Sequence, residues 1–292
     1  MTKFIDYTLN GISSGAVYAA VALALVLIWR ATRIVNFAQG AMLMITTYLA
    51  AAVITSTGSY VLGFVVALAA GFLLGAVVER LLMRRVEQGP PLNAVIVSLG
   101  LYTFLVALAG MIWGNTPRPF PPAFSLRGYD LGGTRYLFAP NDTYIVLAVV
   151  FIAVALAALF RYTPLGLQMR AAAFKPEVAQ LLGVRVGRMF TLGWGLAALT
   201  GAIAGVLVAP SVFVAPNNFD PILISGFVAA VLGGLDSPSG AVAGAMILGL
   251  ALSYVAGYEG DALVPMAALV ILIVVLMVRP TGLFPAAKER RV

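Results

Sequence analysis

Long runs without a single charged residue, separated by short connectors that hold most of the arginines, set the plan of this chain. A helix rises about 1.5 Å per residue, so crossing the ~30 Å hydrocarbon core of a bilayer takes about 20 apolar residues. Windows of that kind lie at Tyr7–Trp29, Leu92–Trp113, Thr143–Phe160, Met189–Ala209, Ser239–Tyr258 and Leu263–Val278. The stretch Ile34–Val78 contains no Asp, Glu, Lys or Arg and is too long for one crossing. The polar run Thr55-Ser56-Thr57-Gly58-Ser59 divides it into two. Pro221–Leu235 is shorter than the rest: its residues rise only about 22 Å as a helix, less than the hydrocarbon thickness. That shortfall, with the bend-forming run Gly233 to Gly240 behind it, predicts a half-helix or broken helix over 221–240. A re-entrant pair with the next segment leaves the tail on the same side, so charge counting keeps both arrangements open. The expectation is an all-α polytopic membrane protein of eight to nine segments, forming one transmembrane domain over residues 1–292.

Composition agrees with this reading. Hydrophobic residues make up 62% of the 292 and charged residues 10%, with mean hydropathy +1.02, more apolar surface than one soluble core can hide. The net charge of +7 and a pI near 9.9 suit a nucleic-acid binder only if the cations cluster, and they sit instead in connectors between apolar runs. There they report orientation. With the N-terminus outside, strict alternation places 14 of the 18 cations on the cytoplasmic face; Lys3, Arg118, Arg127 and Arg135 stay outside, the last three in a Pro-rich external loop at 114–142. The C-terminus is then cytoplasmic. Cys and His are both absent, which removes disulfides, thiolate nucleophiles, the usual zinc sites and any imidazole proton relay. No small-residue cleavage site follows the N-terminal residues, so the first span is expected to be retained.

The connector at 161–188 stands apart. It carries Arg161, Arg170, Lys175, Arg185 and Arg188 against the single acid Glu177, in an Ala-rich, helix-forming stretch, and so belongs on the cytoplasmic side. Pro176 inside it should start or kink a helix. Polar side chains within apolar spans mark candidate path residues: Tyr18, Asn36, Gln39, Asn93 and Ser98. Asn36 and Gln39 are three apart, so on a helix they share a face and present amides to a polar ligand; the alternative is hydrogen bonding between helices. Gly71 with Gly75, Gly201 with Gly205 and Gly240 with Gly244 have the spacing that lets helix backbones approach closely, a packing signal.

Several of these stretches together resemble a known family. Asn10-Gly11-Ile12 with Gly15 and Tyr18, then Arg33 to Gly40, the 161–188 connector, Phe227 to Leu235 followed by Gly240-Ala241-Val242, and Arg279 to Phe284 occur in the order seen in permeases of branched-chain amino acid ABC importers, most like the LivH-type subunit. The match runs over about the whole chain. The spacing of Gly166, Arg170-Ala171, Ala179 and Gly183, with Glu177 between, resembles the cytoplasmic loop through which such permeases couple to their ATPases; read without the resemblance, it is a charged linker that fixes topology. The resemblance implies a plasma (inner) membrane permease paired with a LivM-type subunit, two cytoplasmic ATPase subunits holding ATP and Mg, and an extracytoplasmic binding protein, with no cofactor in this chain. Gln39 stands where many members have His, so nothing assigned to that imidazole carries over.

The implied function is transport of branched-chain or other hydrophobic amino acids, with urea or short amides as the alternative within the family. No Gly-x-x-x-x-Gly-Lys-Ser/Thr phosphate loop is present, so ATP, if used, binds elsewhere. An ion-coupled secondary transporter should carry acids inside spans, yet Asp6, Glu79, Glu87, Asp220 and Asp236 with the other acids are all read at edges or in loops, leaving a lining of amides and hydroxyls. A membrane-embedded enzyme lacks a visible nucleophile or metal cluster.

Overall fold

The computed structural model describes residues 2–86, 89–131 and 133–284. Helix α1 spans Thr2–Thr32, α2 Gln39–Thr57, α3 Tyr60–Leu81, α4 Pro91–Trp113, α5 Pro140–Tyr162, α6 Pro164–Phe174, α7 Pro176–Leu181, α8 Val186–Val212, α9 Asp220–Gly233, α10 Pro238–Tyr258 and α11 Val264–Val278. Among the described residues eight helices are long and apolar enough to cross a membrane, the eighth counted from Asp261 through α11, and α9 is a shorter apolar one. Within the 114–142 loop, β1 (Asp130–Leu131) and β2 (Thr134–Arg135) form a minimal antiparallel hairpin. The Glu87, Lys288, Glu289, Arg290 and Arg291 of the charge argument lie outside the described residues.

Local chemistry sets the boundaries. Gly58 takes the left-handed conformation that ends α2, and the Ser59 hydroxyl accepts the Leu62 N–H to start α3, so the Thr55–Ser59 division falls where the polar run lies. Pro occupies the first turn of α4, α5, α6, α7, α9, α10 and α11, where its missing N–H leaves no bond unmade.

Helices α1 and α8 are the centre of the bundle. Their most apolar windows are 83% buried, against 22% for α4, 17% for α5 and 6% for α11, whose apolar faces suit lipid or another subunit. Helix α1 packs on α8, α9, α10 and α5, while α8 also packs on α2 and α3. The glycine spacing is used as expected. Gly71 and Gly75 face Ala198, Ala202 and the Trp194 backbone across the α3–α8 seam, and Gly11 and Gly15 face α10 around Gly249, so a side chain at these positions would run into main chain.

Contacts at the two ends fix the alternation of the segments. At one end Arg33 and Trp29 meet Asp236, Arg84 meets Gly187, and Leu283 meets Leu232. At the other, Asp6 accepts the Leu137 N–H, the Ser13 hydroxyl donates to Asp142, and Arg118 pairs with Val214. The first end holds Arg30, Arg33, Arg80, Arg84, Arg85, the five cations of 161–188 and Arg279.

The 221–240 segment is a broken crossing. After α8 reaches the cation-poor end, residues 213–219 turn back without helical structure, and α9 completes the passage over 14 residues to the cation-rich end, where α10 begins. This removes the re-entrant alternative. The bend behind α9 is closed by the tail: Leu283 N–H donates to Leu232 O at 2.8 Å and Phe284 N–H to Gly233 O at 3.2 Å, satisfying carbonyls that the end of α9 leaves open.

Candidate functional site

The 161–188 connector folds as two short helices, with Lys175 between them and Pro176 opening the second, as a proline there demands. The Thr163 hydroxyl accepts the Gly166 N–H and caps α6. Gly166 is buried against Leu159 and Phe160 of α5, too close for a side chain. Ala179 is buried and Ala171 half-buried, whereas Arg170 and Glu177 are exposed. Gly183 turns the chain toward α8 at φ +84°, which an L side chain adopts only with strain. The outer surface is apolar: Tyr162, Leu167, Phe174, Leu181 and Leu182 are exposed, Leu181 at 88%. A solvated linker has no reason to present that many large apolar side chains beside its arginines.

Under the connector lies a cavity of about 370 Å³, lined by Ala31, Thr32 and Arg33 of the α1 end, Arg84, and Ala172, Pro176 and Gln180 of the connector among others. Arg84 belongs to a network that the sequence does not reveal. Its Nε and Nη2 donate to both carboxylate oxygens of Glu79 at 3.0 and 2.9 Å, and Nη2 also reaches Gly187 O and Thr191 Oγ1, both at 2.8 Å. The Thr191 hydroxyl lies 2.6 Å from Glu79 Oε2. The network ties the end of α3 to the first turns of α8, directly below the connector. Glu79, read at an edge in the sequence, is fully buried inside α3.

The candidate path residues divide. Asn36 and Gln39 are both 1% exposed, and Asn36 is not on a helix: it sits in the turn before α2, its Oδ1 accepting the Ala38 N–H, its Nδ2 donating to Gln39 Oε1 at 3.2 Å. Gln39 Nε2 donates to Ala197 O of α8. The expected shared helical face is therefore replaced by a turn whose amides satisfy each other, because Asn hydrogen-bonds its own backbone more readily than it continues a helix. Ser98 is buried with its hydroxyl returned to Val95 O, Asn93 is exposed near the start of α4, and Tyr18 packs half-buried beside Ser225 of α9. The structure brings Tyr18 to α9 and Asn36 to Gln39; Asn93 and Ser98 stand apart on α4.

One acid departs further from the sequence reading. Asp220, read in a loop, begins α9 at the end of that helix away from the cation-rich side, and Tyr102 donates its hydroxyl to Asp220 Oδ2 at 2.7 Å. Tyr102 is at the midpoint of α4. A carboxylate therefore stands beside the midpoint of α4, where the sequence reading put only neutral groups. The signal available in the sequence is Asn217-Asn218-Phe219-Asp220-Pro221, a helix start between two apolar runs.

The profile of the family described as "Branched-chain amino acid transport system / permease component" matches residues 7–279. The chain is 29% identical to the high-affinity branched-chain amino acid transport system permease protein LivH of Escherichia coli (strain K12), over 99% of this chain and 98% of the relative. It is 27% identical to BraD, named likewise, of Pseudomonas aeruginosa, over 99% and 98%. Among solved structures, PsaBC from Streptococcus pneumoniae superimposes with a TM-score of 0.52 at 13% identity, covering 96% of this chain and 93% of that one, a likeness of fold alone. With its bundle, its broken crossing and a profile match over nearly its full length, the chain belongs to the branched-chain amino acid transport permease family and is of the LivH type.

Proposed function

We propose that this chain is the permease subunit of an ATP-driven importer for branched-chain and other hydrophobic amino acids. The observation that carries the reading is the family match over residues 7–279, joined to an exposed apolar and basic two-helix connector at the cation-rich end. In this reading the cation-rich end is cytoplasmic, by the positive-inside rule, and the N-terminus lies outside. Two ATPase subunits bind and hydrolyse ATP with Mg, and one of them seats on α6 and α7 around Arg170, Ala171 and Glu177. A LivM-type permease covers an open apolar face, an extracytoplasmic binding protein delivers substrate, and the assembly sits in the bacterial inner membrane.

The chain's own part is mechanical. ATPase closure moves α6 and α7; Gly183 and the buried Ala179 pass that motion to the first turns of α8, which the Glu79–Arg84–Thr191 network binds to α3. A permease of this kind needs no nucleotide site and only weak affinity for its cargo, since selection falls to the binding protein. Reconstitution with the partner subunits and the cognate binding protein tests the reading: labelled leucine should accumulate in an ATP-dependent way. Accumulation of urea in place of leucine would assign the chain to the amide branch, and uptake without ATP would overturn the importer reading.

A further inference from the structure

We infer that Asp220 receives the ammonium group of the transported amino acid midway across the membrane, an inference that rests on the importer reading above. Two rulers give the depth. Tyr102, bonded to the carboxylate, is the twelfth of the 23 residues of α4, about 16 Å from either end of that helix. Helix α9 then runs 14 residues, about 21 Å, from Asp220 to the cation-rich end. A carboxylate held there is in the region where a bare charge is least tolerated.

Among the described residues no cation neutralises it. The ion pairs there are Arg33 with Asp236 and Arg84 with Glu79, both at the cation-rich end. The side-chain bond that Asp220 makes is the one from the neutral Tyr102 hydroxyl. The N-terminus of α9 supplies a partial positive charge of about half a unit, which orients a carboxylate without cancelling it. A charge at that depth without a full partner is unfavourable, so the site calls for a cation.

The surroundings leave room for one. Asp220 is only partly buried, and Asn217 and Pro221 beside it are exposed. The stretch 213–219 that leads in is non-helical, held by the Arg118–Val214 backbone pairing and by the Asn218 amide donating to Val212 O at 2.9 Å. Non-helical backbone at membrane depth is tolerated where it lines a polar cavity or is buried in protein, and broken helices of this sort carry transporter binding sites. A zwitterionic amino acid brings the missing positive charge and takes it away again on release, which a resident cation would not do.

The test uses the complete complex in proteoliposomes with the cognate binding protein. Asp220→Asn keeps the shape and an acceptor for Tyr102 while removing the charge. Its maximal leucine uptake is expected to fall about tenfold or more, the worth of a charge-assisted bond, while loaded binding protein still stimulates ATP hydrolysis. Tyr102→Phe should give a smaller, few-fold loss. As a readout independent of turnover, Asn217→Cys, in a chain with no native cysteine, should react with a water-soluble thiol reagent, and millimolar leucine should slow that reaction. In the Asp220→Asn background leucine should give no protection. Uptake at the wild-type rate by Asp220→Asn overturns the site, and so does labelling at Asn217→Cys that leucine leaves unchanged in the Asp220 chain, a measurement that stands even if Asp220→Asn fails to assemble. Failure of the wild-type complex to accumulate leucine refutes the amino acid reading itself, before any variant is compared.

Discussion

The Glu79–Arg84 pair should respond asymmetrically to removal of its two members. The Glu79 side chain is 0% exposed, whereas that of Arg84 is 42% exposed at the edge of the cavity. Arg84→Met leaves a carboxylate sealed in the α3–α8 seam with the Thr191 hydroxyl as its remaining side-chain partner, and an uncompensated buried charge of that kind costs about 3 kcal/mol or more. Glu79→Gln leaves a guanidinium that can turn toward water and keeps Gly187 O and Thr191 Oγ1 as acceptors, so its cost is about 1 kcal/mol. At roughly 2–3 °C per kcal/mol for a chain of this size, purified protein in detergent should lose about 6–9 °C of melting temperature in Arg84→Met and about 2–3 °C in Glu79→Gln. The double variant should recover most of the Arg84→Met loss, because the orphaned charge is gone. Tryptophan fluorescence on heating gives the three values. Equal losses in the single variants, or a double variant worse than both, would refute the assignment of the cost to an unpaired Glu79.

Three further outcomes are expected. A membrane-impermeant thiol reagent should label Arg127→Cys in intact cells and Lys175→Cys only after permeabilisation, and the opposite pattern would invert the topology. At Gly183 a Cβ meets no atom within 4 Å, so Gly183→Ala costs only the left-handed backbone, about 1–2 kcal/mol; it should leave the permease inserted but lower leucine moved per ATP hydrolysed, and an unchanged ratio would remove the turn from coupling. Trp194 Nε1 is a fully buried donor without a partner among the described residues, so Trp194→Phe trades a cavity cost of about 1 kcal/mol against relief of an unmet bond worth about 1–3 kcal/mol; melting should be unchanged or higher, and a drop beyond about 5 °C would mean that the indole N–H has a partner.

Helix positions were legible because lipid imposes them. Charge-free windows set the spans to within a few residues, and Gly58-Ser59 and Pro176 gave the breaks, since capping and proline chemistry act over three or four positions. The connector was legible as basic but not as an apolar surface: that Leu181 faces outward while Ala179 faces inward depends on how α7 lies against α8. The site was least legible. Asn36 reads as a helical amide until the turn is seen, and Glu79 and Asp220 read as boundary acids because hydropathy windows end where charges begin. What decides whether such an acid is solvated or sealed is the neighbour supplied by another segment, Thr191 from 112 positions away or Tyr102 from 118, and no local pattern contains that neighbour.

Among the described residues two other than glycine have positive φ, Arg33 at 60° and Phe213 at 59°. Each costs about 1–3 kcal/mol and persists only where its surroundings fix it. Arg33 ends the passage out of α1 and is held by Asp236, which also accepts from Trp29 Nε1 at 3.2 Å. Phe213 ends α8, and the residue after it is fixed to Arg118 by paired backbone bonds of 3.0 and 2.8 Å. The strain therefore stands at the two departures from helix that flank the α2–α8 core: one opens the turn of Asn36 and Gln39, the other opens the broken crossing to Asp220. Glycine at either position would relieve the strain, and also the restriction that aims the chain. In both places a polar bond from a distant segment replaces the regular helix as the source of order, as an apolar environment requires wherever backbone groups leave the helical ladder.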